Sequence, residues 1–286
     1  MKHLILLFTL LCLPCGKIFA EALKVGGVDV VPGNVVEFEV PLLPEAKKEA
    51  AKTQGGAAVE KAKVALVVPK DFDPKKSWPV MVTSVSDDGA KGNIDILKMM
   101  KDTLVSKGWV GLAADGPFKP KAYTTEWHYA MLSSALAAVQ TAWPGAKGWS
   151  YACGGFSGGA KRSGLTAACL AKDKYRLAGM FMGGCNYDMA TWALREYHLS
   201  AEFKAVPIFL SSGANDQTAT PQQHAEVKKS MDHSGFKLVR LESYAGGHEL
   251  NQDQIRMALD WFTEQAGKAK PAGSATGSSF DQFFKK

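Results

Sequence analysis

From residue 62 onward the chain alternates between short β-branched runs and longer helical stretches, and this alternation restricts the fold more than any other feature. Strand-like runs fall at 64–68, 80–85, 110–114, 151–156, 177–182, 206–211 and 237–241. Helical periodicity fills most of the gaps, at 94–105, 126–141, 158–171, 188–197 and 222–233. A last helix at 250–265 sets Ile255, Ala258, Leu259 and Phe262 at helical spacing. Parallel strands need long crossover connections, so the pattern predicts an α/β fold: a mainly parallel central sheet with helices on both faces. Ahead of it, 23–31 and 34–40 alternate and flank Pro32-Gly33, which predicts an N-terminal antiparallel hairpin. With 46% hydrophobic residues in a chain of 286, a sizeable core is within reach.

The ends of the chain read differently. Lys2 and His3 precede the uncharged run 4–13, which is broken by Pro14 and Gly16 and followed by the small Ala20. A run of ten uncharged residues falls short of the ~20 a membrane-spanning helix requires, so 1–20 is expected to be a secretory signal peptide and the protein to be exported, periplasmic or secreted. Residues 21–267 are expected to form one domain, within which 44–63, rich in Ala, Lys and Glu, is a solvated helical or flexible insertion. Residues 268–286, with Pro271, Gly273 and two adjacent serines, are expected to be a disordered tail.

Removal of 1–20 takes Lys2 and Lys17 and no acid, lowering the formal charge from +6 to +4. The surplus is spread along the chain, with no aromatic stacking platform beside it, so no nucleic-acid partner is expected. No segment after the signal is long and apolar enough to span a membrane. Cys153, Cys169 and Cys185 would remain, an odd number without metal-ligand spacing, and they are read as small buried hydrophobes.

In an open α/β sheet, ligands bind at the carboxyl ends of the strands, so residues just after each strand carry the chemistry. Gly155-Phe156-Ser157-Gly158-Gly159 follows the strand 151–156 and opens a helix. A sharp turn there holds the serine in a strained conformation, which requires flanking positions without bulky side chains. The turn also puts the hydroxyl at a helix start, where the Gly158 amide and the helix dipole would favour a developing oxyanion.

A serine needs a base, and the base an orienting carboxylate. The strand 206–211 leads into Gly213-Ala214-Asn215-Asp216, and the last strand leads into Gly246-Gly247-His248-Glu249. The order Ser157, Asp216, His248 is the one expected when the three meet above an α/β sheet. Other histidines are weaker candidates: His224 and His233 fall on a lysine-rich helix and read as solvated, and His198 ends a helix. His128, beside Trp127 near a helix start, reads as a surface residue that would otherwise line a substrate pocket together with Trp127. Tyr123 belongs to the same stretch. Asp188 is the reserve acid, and Asp87, Asp88 and Asp115 read as polar loop.

These pieces resemble the α/β-hydrolase superfamily over roughly 64–265, most of all secreted esterases of the polyhydroxybutyrate-depolymerase and feruloyl-esterase type. The resemblance is carried by Ala65-Leu66-Val67-Val68-Pro69, Asp73-Pro74-Lys75, Trp78-Pro79-Val80-Met81-Val82, Gly155-Phe156-Ser157-Gly158-Gly159-Ala160, Gly213-Ala214-Asn215-Asp216 with Pro221, and Gly247-His248. It implies an α/β-hydrolase fold and an acyl-enzyme mechanism without metal or organic cofactor, acting on a small-molecule or polymer-derived ester.

One stretch departs from the family. Where its members usually carry His-Gly, this chain reads Thr83-Ser84-Val85-Ser86-Asp87-Asp88-Gly89. Val85 or Ser86 would then supply the second oxyanion amide, close to two acids. Three functions stay open: a secreted carboxylic-ester hydrolase, a hydrolase-fold binding protein without turnover, and a single-domain serine peptidase.

Overall fold

The computed structural model describes residues 23–86, 91–121 and 124–268. The expected signal peptide, Asp87 and Asp88, Tyr123 and nearly all of the expected tail lie outside the described residues. In chain order the elements are β1 (Lys24–Val25), β2 (Val28–Asp29), β3 (Val36–Pro41), α1 (Pro44–Thr53), β4 (Lys61–Val67), β5 (Pro79–Ser84), α2 (Asn93–Ser106), β6 (Val110–Asp115) and α3 (Thr125–Ala142). Then follow β7 (Ser150–Phe156), α4 (Gly158–Lys172), β8 (Arg176–Gly183), α5 (Met189–Glu196), β9 (Ile208–Gly213), α6 (Pro221–His233), β10 (Val239–Tyr244) and α7 (Gln252–Lys268).

Eight strands form one sheet in the order β10-β9-β8-β7-β5-β6-β4-β3. From β10 to β6 every neighbour pair is parallel, while β4 runs antiparallel to both β6 and β3. The mainly parallel sheet covered on both faces is the architecture the alternation predicts. The N-terminal antiparallel hairpin is present too, but it closes within 24–29 as β1 and β2. The segment 34–40 does not join it. Val36–Pro41 pairs instead with β4, where Phe38 and Val40 become buried.

Because successive strand residues face opposite ways, each strand feeds two cores. Val64, Leu66, Val82, Met180, Met182, Ile208 and Leu210 face one, with Trp127, Leu132 and Leu136 from α3 and Ala167 and Leu170 from α4. Ala65, Val67, Met81, Phe181 and Phe209 face the other, against Ile94, Leu97 and Met100 from α2 and Ile255, Leu259 and Phe262 from α7. α1 buries only Ala46 and Ala50, one turn apart. That seam is too narrow to register as an apolar stripe, yet α1 uses it to pack on α3, where Leu43 N–H also donates to Ser134 Oγ at 3.1 Å. β9 starts two residues later than the β-branched run suggests. Pro207 has no N–H to give a ladder, and only its carbonyl is used, accepting from Met180 N–H at 2.8 Å.

Phe262 anchors α7: it is fully buried, with ring centroids 6.3 Å from Trp109 and 5.8 Å from Trp261. Its ring occupies the space above Gly179 of β8, where an added Cβ would approach to 2.5 Å. Phe262→Ala is expected to cost about 3–5 kcal/mol of stability through lost burial and an unfilled cavity. Urea unfolding checks it: the midpoint should fall while the slope stays constant.

Candidate active site

β7 ends at Phe156, and the next residue turns sharply. Ser157 has φ 57° and ψ −120°, a conformation that L-residues avoid and that must be held by its surroundings. Its N–H donates to the carbonyl of Gly183 at the end of β8, at 2.8 Å. The flanking glycines are demanded by close approach. A Cβ at Gly155 would come within 2.5 Å of Gly159 and 2.6 Å of the Ser84 carbonyl, and one at Gly159 within 2.3 Å of that same carbonyl. The ends of β5 and β7 and the start of α4 therefore meet backbone to backbone, and the half-buried Ser157 stands at the helix N-terminus.

Asp216 lies in the loop after β9 and is only 1% exposed. Its Oδ1 accepts the N–H groups of Thr218 and Ala219, both at 2.8 Å, and its Oδ2 lies 2.8 Å from His248 Nδ1. Burial alone would push this carboxyl up. The bonds from the Ala219 N–H, from His248 and from the Thr218 N–H outweigh burial and hold it below the usual carboxylate range. An ionised carboxylate only accepts, so Nδ1 carries the proton and the Nε2 lone pair is left facing Ser157 Oγ, 3.0 Å away.

The loop that presents His248 is tied to β9. Ala214 N–H donates to the Tyr244 carbonyl and Asn215 N–H to that of Gly246. The Tyr244 hydroxyl donates to the carbonyls of Gly247 and Glu249, at 3.0 and 2.7 Å. Phe156, the residue before the serine, packs its ring 4.6 Å from the imidazole. Three side chains separated by 91 and 32 residues thus form one hydrogen-bonded line.

The loop after β5 differs from expectation at Val85. Its N–H donates to Asn93 Oδ1 at 2.9 Å and its carbonyl accepts from Arg162 Nε at 3.3 Å. The Val85 amide is therefore committed to the first residue of α2 rather than aimed at the serine. Ser86 is the residue brought against the turn: a Cβ on Gly158 would lie 2.2 Å from Ser86 Oγ and 3.0 Å from its Cα. Asn93 is the keystone, since Nδ2 donates to the Ala114 carbonyl and its own carbonyl accepts from Thr83 Oγ1. Asp115 receives the N–H groups of Asn93 and Ile94 and so caps α2; burial pushes its carboxyl up.

Trp127 is a core residue rather than an exposed one. It is buried beneath Gly116 and Phe118, with ring centroids 5.9 Å apart for the aromatic pair. His128 is half-buried and faces a small cavity with Thr83, Asn93 and Arg162. Asp188 caps α5 through the Thr191 N–H and accepts from Ser230 Oγ, at 2.9 and 2.7 Å. His198 and His233 are exposed. His224 is the larger surprise, because it is completely buried and hydrogen-bonded rather than solvated. Nothing in its lysine-rich neighbourhood signals this. Cys153, Cys169 and Cys185 are buried and form no disulfide. Between α5 and α6 a groove of about 420 Å³ exposes Tyr187 and Trp192, which sequence inspection passes over. Among the described residues there is no cluster of three or more His, Cys, Asp or Glu suited to a metal ion, and no helix long and apolar enough to cross a membrane.

No family model and no curated protein matches the chain. Solved structures do. A ferulic acid esterase superposes with a TM-score of 0.55 at 15% identity, over 81% of this chain and 98% of the other. A cold-adapted esterase from an Arctic intertidal metagenomic library, solved with zinc bound, gives 0.51 at 16%, over 80% and 93%. Thermogutta terrifontis esterase 2, phosphonylated by cyclosarin, gives 0.50 at 16%, over 76% and 92%. At such identities the likeness speaks for the fold, which is that of the α/β hydrolases.

The depressed carboxyl of Asp216 sets a pH dependence. Its folded pKa lies below the unfolded value of about 3.9, so the unfolded state binds more protons and stability rises with pH through this range. The contribution is complete above about pH 4 and is lost as pH falls through the folded value. Asp216→Asn should therefore lose less stability than the parent protein between about pH 4 and 2. Urea midpoints measured across that window check the difference.

Proposed function

We propose that the protein is an exported serine hydrolase that cleaves carboxylic esters through an acyl-enzyme on Ser157. The observation that carries this reading is the line Asp216 Oδ2, His248, Ser157 Oγ, with separations of 2.8 and 3.0 Å, ending at a strained serine on a helix N-terminus. In the first half-reaction Ser157 Oγ attacks the ester carbonyl carbon while its proton passes to His248 Nε2. Asp216 keeps the imidazole in the Nδ1–H form and stabilises the imidazolium. The oxyanion forms against the Gly158 amide at the start of α4 and the Ser86 amide. His248 then protonates the leaving alkoxide. In the second half, water gives a proton to His248 and attacks the acyl carbonyl, releasing the carboxylic acid and regenerating Ser157. The reaction needs no metal or organic cofactor. Residues 1–20 would direct export.

A second reading keeps the fold without turnover, as a binding protein. The commitment of the Val85 amide to Asn93 favours it, since losing one oxyanion donor typically costs about 10²–10³ in turnover.

A fluorophosphonate probe tests the first reading, and the phosphonylated Thermogutta esterase 2 makes it an apt reagent. The folded protein should be labelled at Ser157, and Ser157→Ala should not be labelled. Hydrolysis of a short-chain nitrophenyl ester should fall about 10⁴–10⁶-fold in Ser157→Ala and His248→Ala. A folded parent protein that neither labels nor hydrolyses the ester would overturn the first reading and favour the second. An ester-versus-amide panel identifies the bond that is cleaved.

A further inference from the structure

The mechanism above makes no use of the buried histidine on α6, yet that ring touches the supports of the other three residues. His224 Nε2 lies 2.9 Å from the backbone N–H of Cys185, which donates to it. Nε2 is therefore unprotonated and the ring proton sits on Nδ1, 3.1 Å from the Thr220 carbonyl and 3.2 Å from Ser212 Oγ. Burial holds its pKa below the ordinary imidazole value, so the neutral ring is the natural form in this setting.

What the two ends hold is specific. Cys185 follows Gly183 and Gly184. The Gly183 carbonyl receives the Ser157 N–H, and Gly184 N–H donates to the Ser211 carbonyl at 3.0 Å. Gly184, at φ 60°, closes on the base itself: a Cβ there would lie 3.0 Å from His248 Cε1 and 2.8 Å from Phe156. At the other end, Thr220 caps α6 immediately after Thr218 and Ala219, whose amides grip Asp216. Ser212 belongs to β9, four residues before Asp216. One imidazole thus joins the backbone under the nucleophile and base to the backbone under the acid. The bridge needs an acceptor at one end and a donor at the other, fixed in a rigid plane, and a neutral histidine supplies both.

We propose that His224 is a positioning residue, whose neutral ring pins segment 183–185 to the start of α6 and thereby sets the spacing of Ser157, His248 and Asp216. The role rests on the serine-hydrolase reading. His224→Leu fills the space but offers the Cys185 N–H no acceptor. His224→Gln can accept from Cys185 and donate to Thr220. In the full chain, folded by circular dichroism, His224→Leu should lower kcat for a nitrophenyl ester and the rate of fluorophosphonate labelling at Ser157 by roughly tenfold to a hundredfold, with KM little changed. His224→Gln should recover most of that loss.

A folded His224→Leu with unchanged kcat, a loss confined to KM, or a Gln variant as slow as Leu would each overturn the proposal. If His224→Leu does not fold, nitrogen NMR of the imidazole in the parent protein decides. A proton on Nδ1, with scalar coupling between the Cys185 N–H and Nε2, supports the bridge, and a proton on Nε2 removes it. A parent protein unlabelled at Ser157 sinks the hydrolase reading and the positioning role with it. A labelled parent with an indifferent Leu variant sinks the positioning role alone.

Discussion

The contact on which the rest of the structure depends is the meeting of three backbones at Gly155, Gly159 and the Ser84 carbonyl. There is no space for a Cβ at either glycine, so β5, β7 and α4 approach more closely than any side chain would allow. At that approach Ser157 takes positive φ and stands at the N-cap of α4. Strain of this kind persists only when its surroundings over-determine it. Here the Gly183 carbonyl from the neighbouring strand takes the Ser157 N–H, and the Phe156 ring is trapped against His248.

Around that contact the fold uses one solution repeatedly. A buried or half-buried polar side chain takes up backbone N–H groups that strands and helices leave unpaired, and in doing so fixes a loop. Asp216 does this for the amides of Thr218 and Ala219, Asn93 for that of Val85, Asp115 for the first turn of α2 and His224 for Cys185. An unmet buried N–H costs about 1–3 kcal/mol, so each of these side chains is paired with its loop in a way an apolar residue would not replace. The loops at the carboxyl edge of the sheet are consequently held by these side chains together with backbone bonds from one loop or strand end to the next.

Much of the layout could be read from residue order. The alternation of β-branched and helical runs locates the parallel strands to within a few residues. Ser157, Asp216 and His248 stand out because each follows such a strand, with a glycine or a helix start within a few residues. The failures have physical causes. Val36–Pro41 pairs with β4 because a strand edge was free there, a fact about the assembled sheet. Trp127 reads like a pocket residue and is buried, because Gly116 leaves the space its ring fills. His224 reads like a solvated residue because its helix is rich in lysine, but its one turn faces Cys185 and Ser212. Val85 reads like an available amide, and the donor is spent on an asparagine eight residues along.

By itself, then, the sequence determined the class of fold, the sharp turn at Ser157 and the placing of an aspartate and a histidine at neighbouring strand ends. All of these follow from local rules: steric limits on φ, the periodicity of side chains, and the short reach between a strand and the helix that follows it. Only the tertiary structure decided that the Val85 amide is spent on Asn93, which aromatic rings are buried, and that a second histidine is buried and bonded between Cys185 and the start of α6. Those outcomes depend on which distant backbone arrives next to a given side chain, because burial and hydrogen-bond partners are properties of the packed whole and not of a residue's neighbours in the chain.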